Sequence, residues 1–230
     1  MFDVFFYTVF PYLAIALAII VGLYRYFKHK FTYSSLSTQF IEKRKLFWGS
    51  IPFHYGIVIV LIAHLIPILF PAVWKSLVGN MTRLYTIEII GLSIALWALF
   101  GLIVLMIRRF SDSRLRALTS PMDVVLLIFL LWQIGSGIYI AIFNHWGAQW
   151  YTTTAVPWIH SLLIFQPNHE LVSSLSLVIK IHMLGGFILL ALFPFTRLVH
   201  VVSFPLAYLW RPYQVVRWYK KMDPANRRVS

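Results

Sequence analysis

The sequence predicts an all-α integral membrane protein built from a bundle of five transmembrane helices. Of its 230 residues, 60% are hydrophobic and only 12% are charged, whereas an ordinary soluble domain is about 45–50% apolar and about 25% charged. A helix needs roughly 20 apolar residues to cross a hydrocarbon core of about 30 Å. Five stretches meet this length: Phe5–Phe27, Pro52–Phe70, Leu84–Ile107, Met122–Phe143 and Leu175–Val199.

The first stretch begins almost at the N-terminus, where a secretory signal peptide would also lie. It carries no basic segment before its apolar run and no small-residue cleavage site, so we expect it to be retained as a helix. Pro11, Pro67 and Pro194 fall inside or near predicted spans, which is tolerated where neighbouring groups satisfy the freed carbonyl. The segment from Trp146 to Glu170 is too polar to span and is predicted to be an interfacial cap with short helices.

Lysine and arginine predict the orientation of the bundle in the cytoplasmic membrane, since these residues accumulate on the cytoplasmic side. They are concentrated after the first, third and fifth spans, whereas no Lys or Arg lies between His145 and Leu175. The N-terminus is therefore expected outside and the C-terminus in the cytoplasm. We divide the chain into a membrane domain over residues 1–209 and a basic cytoplasmic tail over residues 210–230, and we expect Arg211, Tyr213, Arg217 and Trp218 to help bind a soluble partner.

The absence of cysteine restricts the chemistry that the chain can carry. With 0 cysteines there is no disulfide, no thiolate iron–sulfur cluster and no C-x-x-C-H attachment of haem. Any metal cofactor must therefore use histidine. The net charge of +13 does not indicate nucleic acid binding, because the basic residues lie beside apolar spans rather than in a separate domain.

Four of the eight histidines lie in predicted spans or at their ends. Ionisable residues in a span are costly and are functional candidates by default. The second and fifth spans run in opposite directions, so that His54 is expected at the depth of His200, and His64 at that of His182. Each pair can supply the two axial imidazoles of a b-type haem, the first near the inner face and the second near the outer face.

The spacing supports this interpretation only in part. His182 and His200 are 18 residues apart, about five turns along one helix face, whereas His54 and His64 are ten apart, or roughly 15 Å. The helices must therefore be tilted or kinked, for which Pro194 is a candidate. The alternative is that the histidines only hydrogen-bond to neighbouring helices.

Other residues could help to hold a haem. Arg108, Arg109 and Arg197 can pair with haem propionates, or serve only as positive anchors on the cytoplasmic side. Gly56, Gly185 and Gly186 either let a flat macrocycle approach the backbone or serve plain helix contacts.

At these residues the sequence resembles the gamma subunit of respiratory nitrate reductase, the cytochrome b membrane anchor, over essentially its whole length. The histidine spacing and the block that ends at His200 carry most of this resemblance. The matching segments are Phe53-His54-Tyr55-Gly56 with His64, Arg108-Arg109-Phe110, Arg114-Leu115-Arg116, Lys180-Ile181-His182, Phe193-Pro194-Phe195-Thr196-Arg197-Leu198-Val199-His200, and Tyr213-Gln214-Val215-Val216-Arg217.

The resemblance implies two b haems, quinol oxidation near the outer haem, and electron delivery to an iron–sulfur subunit that feeds a molybdenum subunit. Nitrate itself would be reduced elsewhere in that complex. The resemblance also implies that His64 and His182 bind the outer haem and that His54 and His200 bind the inner one. A lysine of the family's quinol pocket has no match here; Arg83 stands near its place, at about the depth of the outer haem.

Two alternatives remain open at this point. The same dihaem anchor could serve another redox complex, in sulfur metabolism or nitrite oxidation. A protein of a different class, a haem-free transporter, could use the histidines as a proton path.

Overall fold

A computed structural model describes residues 2–28 and 44–202 of the chain, and every regular element in this part is helical. Five helical stretches are long and apolar enough to span a membrane, which confirms the predicted all-α five-helix bundle. We call the ends of the spans near Phe5 and Phe143 the N-terminal side, and the other ends the opposite side. The expected outside position of the N-terminus stays a prediction, and the tail over residues 210–230 lies outside the described residues. The spans are Phe5–Lys28, Leu46–Leu69, Met81–Ser111, Pro121–Phe143 and Leu177–Phe195.

The first span is α-helical except near its start. Helix α1 (Phe2–Val4) passes through a π-helical turn (Phe5–Val9) into α2 (Phe10–Lys28). Pro11 has no N–H, so it cannot bond the carbonyl of Tyr7 one helical turn earlier. The indole of Trp158 donates to that carbonyl instead, at 2.9 Å. The proline is thus accommodated by a neighbouring element, as expected for a transmembrane helix.

The second and third spans pack most closely in the bundle. Helix α3 (Arg44–Leu69) ends where Pro71 follows, a short α4 (Pro71–Val78) leads back, and α5 (Met81–Ser111) begins behind the side-chain cap of Asn80. Small residues line the contact. A Cβ added to Gly101 would lie 2.4 Å from the backbone nitrogen of Phe53, and one added to Gly56 would lie 2.8 Å from the Cβ of Ala98. This close approach fixes the antiparallel register of α3 against α5.

Short helices cover the N-terminal side of the bundle. After α6 (Ser113–Ala117) and the fourth span α7 (Pro121–Phe143), the chain forms α8 (Gly147–Thr153), α9 (Ala155–Leu163) and α10 (Glu170–Ser173). Trp158 of α9 is buried against Tyr7, and Trp146 packs against the buried Trp74 of α4. The predicted cap is therefore present, and it shares its hydrophobic clusters with the first span, α4 and α5.

The sequence pattern predicted that the fifth span runs as one helix to Val199, but the structure shows a break. Helix α11 (Leu177–Leu192) ends before Pro194 and is followed by two 3₁₀ turns, Phe193–Phe195 and Arg197–Val201. Pro194 cannot continue the α-helical ladder, and Thr196 between the turns is extended, with φ −119° and ψ 179°. His200 therefore lies on a 3₁₀ turn, not on the helix that carries His182.

Candidate haem sites

The structure brings together His54 of α3 and His200 of the last 3₁₀ turn. Their ring centroids are 6.0 Å apart and the rings are inclined by 73°. A metal–imidazole bond is about 2 Å long and the ring centre lies about 1 Å beyond the nitrogen, so two imidazoles on one metal ion have centroids about 6 Å apart. The observed separation fits two axial ligands of one iron. The expectation that these residues meet at the opposite side is met, and the break at Pro194 separates His200 from the helix that carries His182.

His64 of α3 and His182 of α11 are the second pair predicted from the sequence, and each lies nearer the N-terminal side than the other histidine of its span. His64 is also in edge-to-face contact with Tyr151 of α8, with ring centroids 5.8 Å apart. The Tyr151 hydroxyl donates to the backbone carbonyl of His64 at 3.3 Å, and burial raises the pKa of Tyr151 to about 12, which keeps it a neutral donor. The cap thus holds this end of α3.

One ring nitrogen of each histidine is already engaged. Nδ1 of His54 lies 2.8 Å from the Ser50 carbonyl, Nδ1 of His64 lies 2.8 Å from the Val60 carbonyl, and Nδ1 of His200 lies 2.5 Å from the Arg197 carbonyl. A carbonyl only accepts, so Nδ1 carries the proton in all three rings and Nε2 holds a lone pair. That is the tautomer a metal-ligating histidine adopts when its second nitrogen is oriented by a protein acceptor.

His182 is oriented by two side chains of α7. Its Nδ1 lies 2.9 Å from Oγ of Ser136, which itself donates to the Gln133 carbonyl at 3.1 Å. The hydroxyl proton is therefore used, so Ser136 accepts from Nδ1–H and the ring has the same tautomer as the others. The Gln133 amide donates to the His182 carbonyl at 3.1 Å, while its own Oε1 is buried without a partner.

These residues fit b-type haem. The porphyrin supplies the remaining iron ligands, so each haem needs only two axial imidazoles from the protein. Among the described residues no group of three or more His, Asp or Glu could hold a metal ion alone. His54 and His64 expose their side chains at the surface of their span, where an imidazole nitrogen without a partner is costly in hydrocarbon. A flat apolar macrocycle would cover both the nitrogen and the neighbouring apolar side chains.

The glycines near the histidines serve helix contacts. Gly56 packs on Ala98, and a Cβ on Gly185 would lie 2.2 Å from Oε1 of Gln133. At Gly56 and Gly185 the structure therefore shows helix contacts, one of the two roles considered from the sequence. Gly186 is exposed.

Arg109 and Arg197 both contact Asp123, a buried carboxylate in the first turn of α7. Nε of Arg197 lies 2.6 Å from Oδ1, and Nη1 of Arg109 lies 3.4 Å from Oδ2. The role of these arginines toward haem propionates stays a prediction. Sequence reasoning overlooked Asp123, although an acidic residue at the end of an apolar span is a signal by itself.

Arg83 lies in the first turn of α5, where its guanidinium donates to the Ser76 carbonyl at 3.0 Å. The register that sets Gly56 beside Ala98 and Gly101 beside Phe53 places Ile90 beside His64. At 1.5 Å per residue, Arg83 is then about 10 Å nearer the N-terminal side than His64, not level with it. Glu88, which sequence reasoning also missed, lies closer to the depth of His64 and accepts from the Ala148 N–H at 3.2 Å.

Comparison with known proteins identifies the family of this chain. The sequence model of the nitrate reductase gamma subunit matches residues 3–219. The chain belongs to the nitrate reductase gamma subunit family. It is 36% identical to the nitrate reductase gamma chain of Bacillus subtilis over 90% of this chain and 94% of that protein. It is 29% identical to the respiratory nitrate reductase 2 gamma chain of Escherichia coli, over 94% and 96% of the two chains.

A third relative has a different size. The nitrate reductase-like protein NarX of Mycobacterium tuberculosis is 32% identical over 92% of this chain, but the match covers only 33% of that protein. As a gamma-subunit family member with five spans, the chain is a multi-pass protein of the cell membrane and a subunit of a nitrate reductase complex. The other subunits of that complex, among them the catalytic one, are its partners.

Proposed function

We propose that the chain is the quinol-oxidising cytochrome b subunit of its nitrate reductase complex, with one b haem between His64 and His182 and a second between His54 and His200. The observation that carries this proposal is the pairing of His54 and His200 at 6.0 Å between ring centroids. The hydrogen bonds at Nδ1 support it further, because they leave Nε2 of His54, His64 and His200 as the free base. Nε2 of His182 lies 3.5 Å from the Gln133 amide nitrogen.

Each bound haem would supply reversible one-electron transfer at its iron. The chain contributes the axial imidazoles, their orientation and a water-poor setting. Along the continuous helix α3, His54 and His64 are separated by a rise of about 15 Å. The imidazoles at these two depths would hold two haems in succession along the bundle, which suits electron transfer from one side of the bundle to the other.

Quinol would be oxidised on the N-terminal side, close to His64. Tyr151 packs on the ring of this histidine, and Arg83 lies farther out at the rim. A permanent cation there can hydrogen-bond a quinone oxygen or stabilise the anion left by deprotonation. Quinol oxidation releases protons together with electrons. With the N-terminal side facing outward, the protons would be left outside the membrane while the electrons move inward. Such a subunit separates charge across the membrane.

The electrons would leave on the opposite side for an iron–sulfur subunit, which passes them to a molybdenum subunit that reduces nitrate. The chain itself has no cysteine for iron–sulfur ligation. We place the docking surface for the iron–sulfur subunit on the basic loops of this side and on the tail over residues 210–230. Aromatic residues in that tail, Tyr213 and Trp218, are of the type that anchors interfaces.

Haem quantitation in histidine variants tests the proposal. The purified chain should give b-type bands in a reduced-minus-oxidised spectrum and two haems per chain by pyridine haemochrome. His54→Ala or His200→Ala should remove the inner haem, and His64→Ala or His182→Ala the outer one, because an iron that loses one of two axial ligands has an open site. His145→Ala is the matched control, since this exposed histidine lies in a loop. A chain without b-type bands would exclude the dihaem function and leave the histidines as a proton path.

A further inference from the structure

Charged side chains from two other spans hold the two 3₁₀ turns at the end of the fifth span, the second of which carries His200. On one side Arg25, in the last turn of α2, donates to the Pro194 carbonyl at the break in the fifth span. On the other side Asp123 of α7 accepts from Nε of Arg197 at 2.6 Å. The segment has left the α-helical ladder, so its position depends on such contacts more than that of α11 does.

Asp123 is the centre of this arrangement. Its side chain is 6% exposed, and it also accepts from the Ser120 N–H at 3.0 Å, which completes the capping box of α7. Arg109 of α5 provides a second cation at 3.4 Å. Both carboxylate oxygens are thus engaged, and a buried carboxylate with a charged partner at each oxygen holds its geometry firmly.

The contact of Arg197 extends to the haem ligand. The Arg197 side chain bonds Asp123 and the Leu118 carbonyl, while its backbone carbonyl lies 2.5 Å from Nδ1 of His200. The same residue is therefore anchored by its side chain and orients the imidazole by its backbone. A shift of Arg197 would move the acceptor that fixes both the tautomer and the plane of the His200 ring.

We propose that Asp123 is a positioning residue for the inner haem: through Arg197 it orients His200 as an axial ligand and sets the potential of the haem that this ligand holds. This inference rests on the proposed dihaem function. Without the carboxylate, the site loses a negative charge and the hydrogen bond at Nδ1 weakens. Both changes disfavour the oxidised iron, so the inner midpoint potential should rise or the inner haem should be lost.

Asp123→Asn tests this inference in the full complex, by potentiometric titration of both haems and by haem quantitation. The outer haem is the internal reporter of folding. We expect the inner haem alone to change, by partial loss or by a rise in potential of about 59 mV for each tenfold shift in its reduction equilibrium. Asp112→Asn is the matched control, because this half-buried carboxylate lies on the same side of the bundle and forms its ion pair with the exposed Arg114.

The outcomes separate the inference from the proposed function. A purely structural role for Asp123 predicts that both haems fall in proportion to protein abundance, and this result would overturn the inference, as would two unchanged haems. Asp123→Glu keeps the charge and should restore part of the inner haem signal. If Asp123→Asn does not accumulate, Asp123→Glu is measured in its place: a change confined to the inner haem supports the inference, and an equal change in both haems overturns it. Absence of both haems from the wild-type complex would instead refute the proposed function.

Discussion

Replacing Ser136 by alanine removes the acceptor that orients the outer ligand His182. The Ser136 hydroxyl lies 2.9 Å from Nδ1 of that ring, and an acceptor at Nδ1–H makes an imidazole more electron-donating, which favours oxidised iron. Its loss should therefore raise the potential of the outer haem. A neutral hydrogen bond contributes about 0.5–1.5 kcal/mol. For a one-electron couple, in which a tenfold change is about 59 mV, this corresponds to a rise of about 20–60 mV.

Potentiometric titration of the b-type bands measures this change, and the inner haem should keep its potential. Ser93→Ala is the matched control: Ser93 also lies in a span and donates to a helix carbonyl, that of Ile89, but its side chain is exposed on α5. An unchanged or lowered outer potential in Ser136→Ala, or an equal shift in both haems, would refute the hydrogen-bond assignment at His182.

The remaining predictions concern packing, quinol and docking. Gly101→Ala should force α3 and α5 apart and lower the free energy of unfolding, measured by heat or denaturant, by about 1–3 kcal/mol. Gly91→Ala is the control and should be close to neutral, because a Cβ there meets nothing within 4 Å. Equal stabilities of the two variants would contradict the close contact at Gly101. Arg83→Ala should slow haem reduction by a quinol analogue with both haems still present, and unchanged kinetics would remove Arg83 from the quinol site. Deleting the residues after Leu209 should release the other subunits on purification, whereas a complex that stays intact in detergent would place the docking surface elsewhere.

The five spans were predictable because each is a long apolar run, and no tertiary information is needed to recognise one. The pairing of His54 with His200 was also predictable. The second and fifth spans run in opposite directions, so a residue near the start of one lies at about the depth of a residue near the end of the other. Pro194 indicated a kink, but the sequence pattern extended the helix past it to Val199. The apolar composition does not reveal that the ladder ends at Leu192, because 3₁₀ turns and α-helices bury similar residues.

The contacts of the charged residues could not be predicted, because they depend on which spans are neighbours. Asp123 meets Arg109 and Arg197 only because α7 lies between α5 and the end of the fifth span. Sequence spacing likewise could not place Arg83, since its depth is set by the close packing of glycines between α3 and α5. The second partner of each imidazole, such as Ser136 for His182, is also a tertiary contact.

The most direct test of the account is the addition of a reduced quinol analogue to the oxidised chain in sealed vesicles under anaerobic conditions, with absorption and external pH recorded together. The account predicts that both b-type haems become reduced and that protons appear on the N-terminal side. His64→Ala should abolish the reduction of both haems, because electrons enter at the outer site, whereas His54→Ala should leave the outer haem reducible. Reduction of the inner haem alone by quinol in His64→Ala, or proton release on the opposite side, would contradict it.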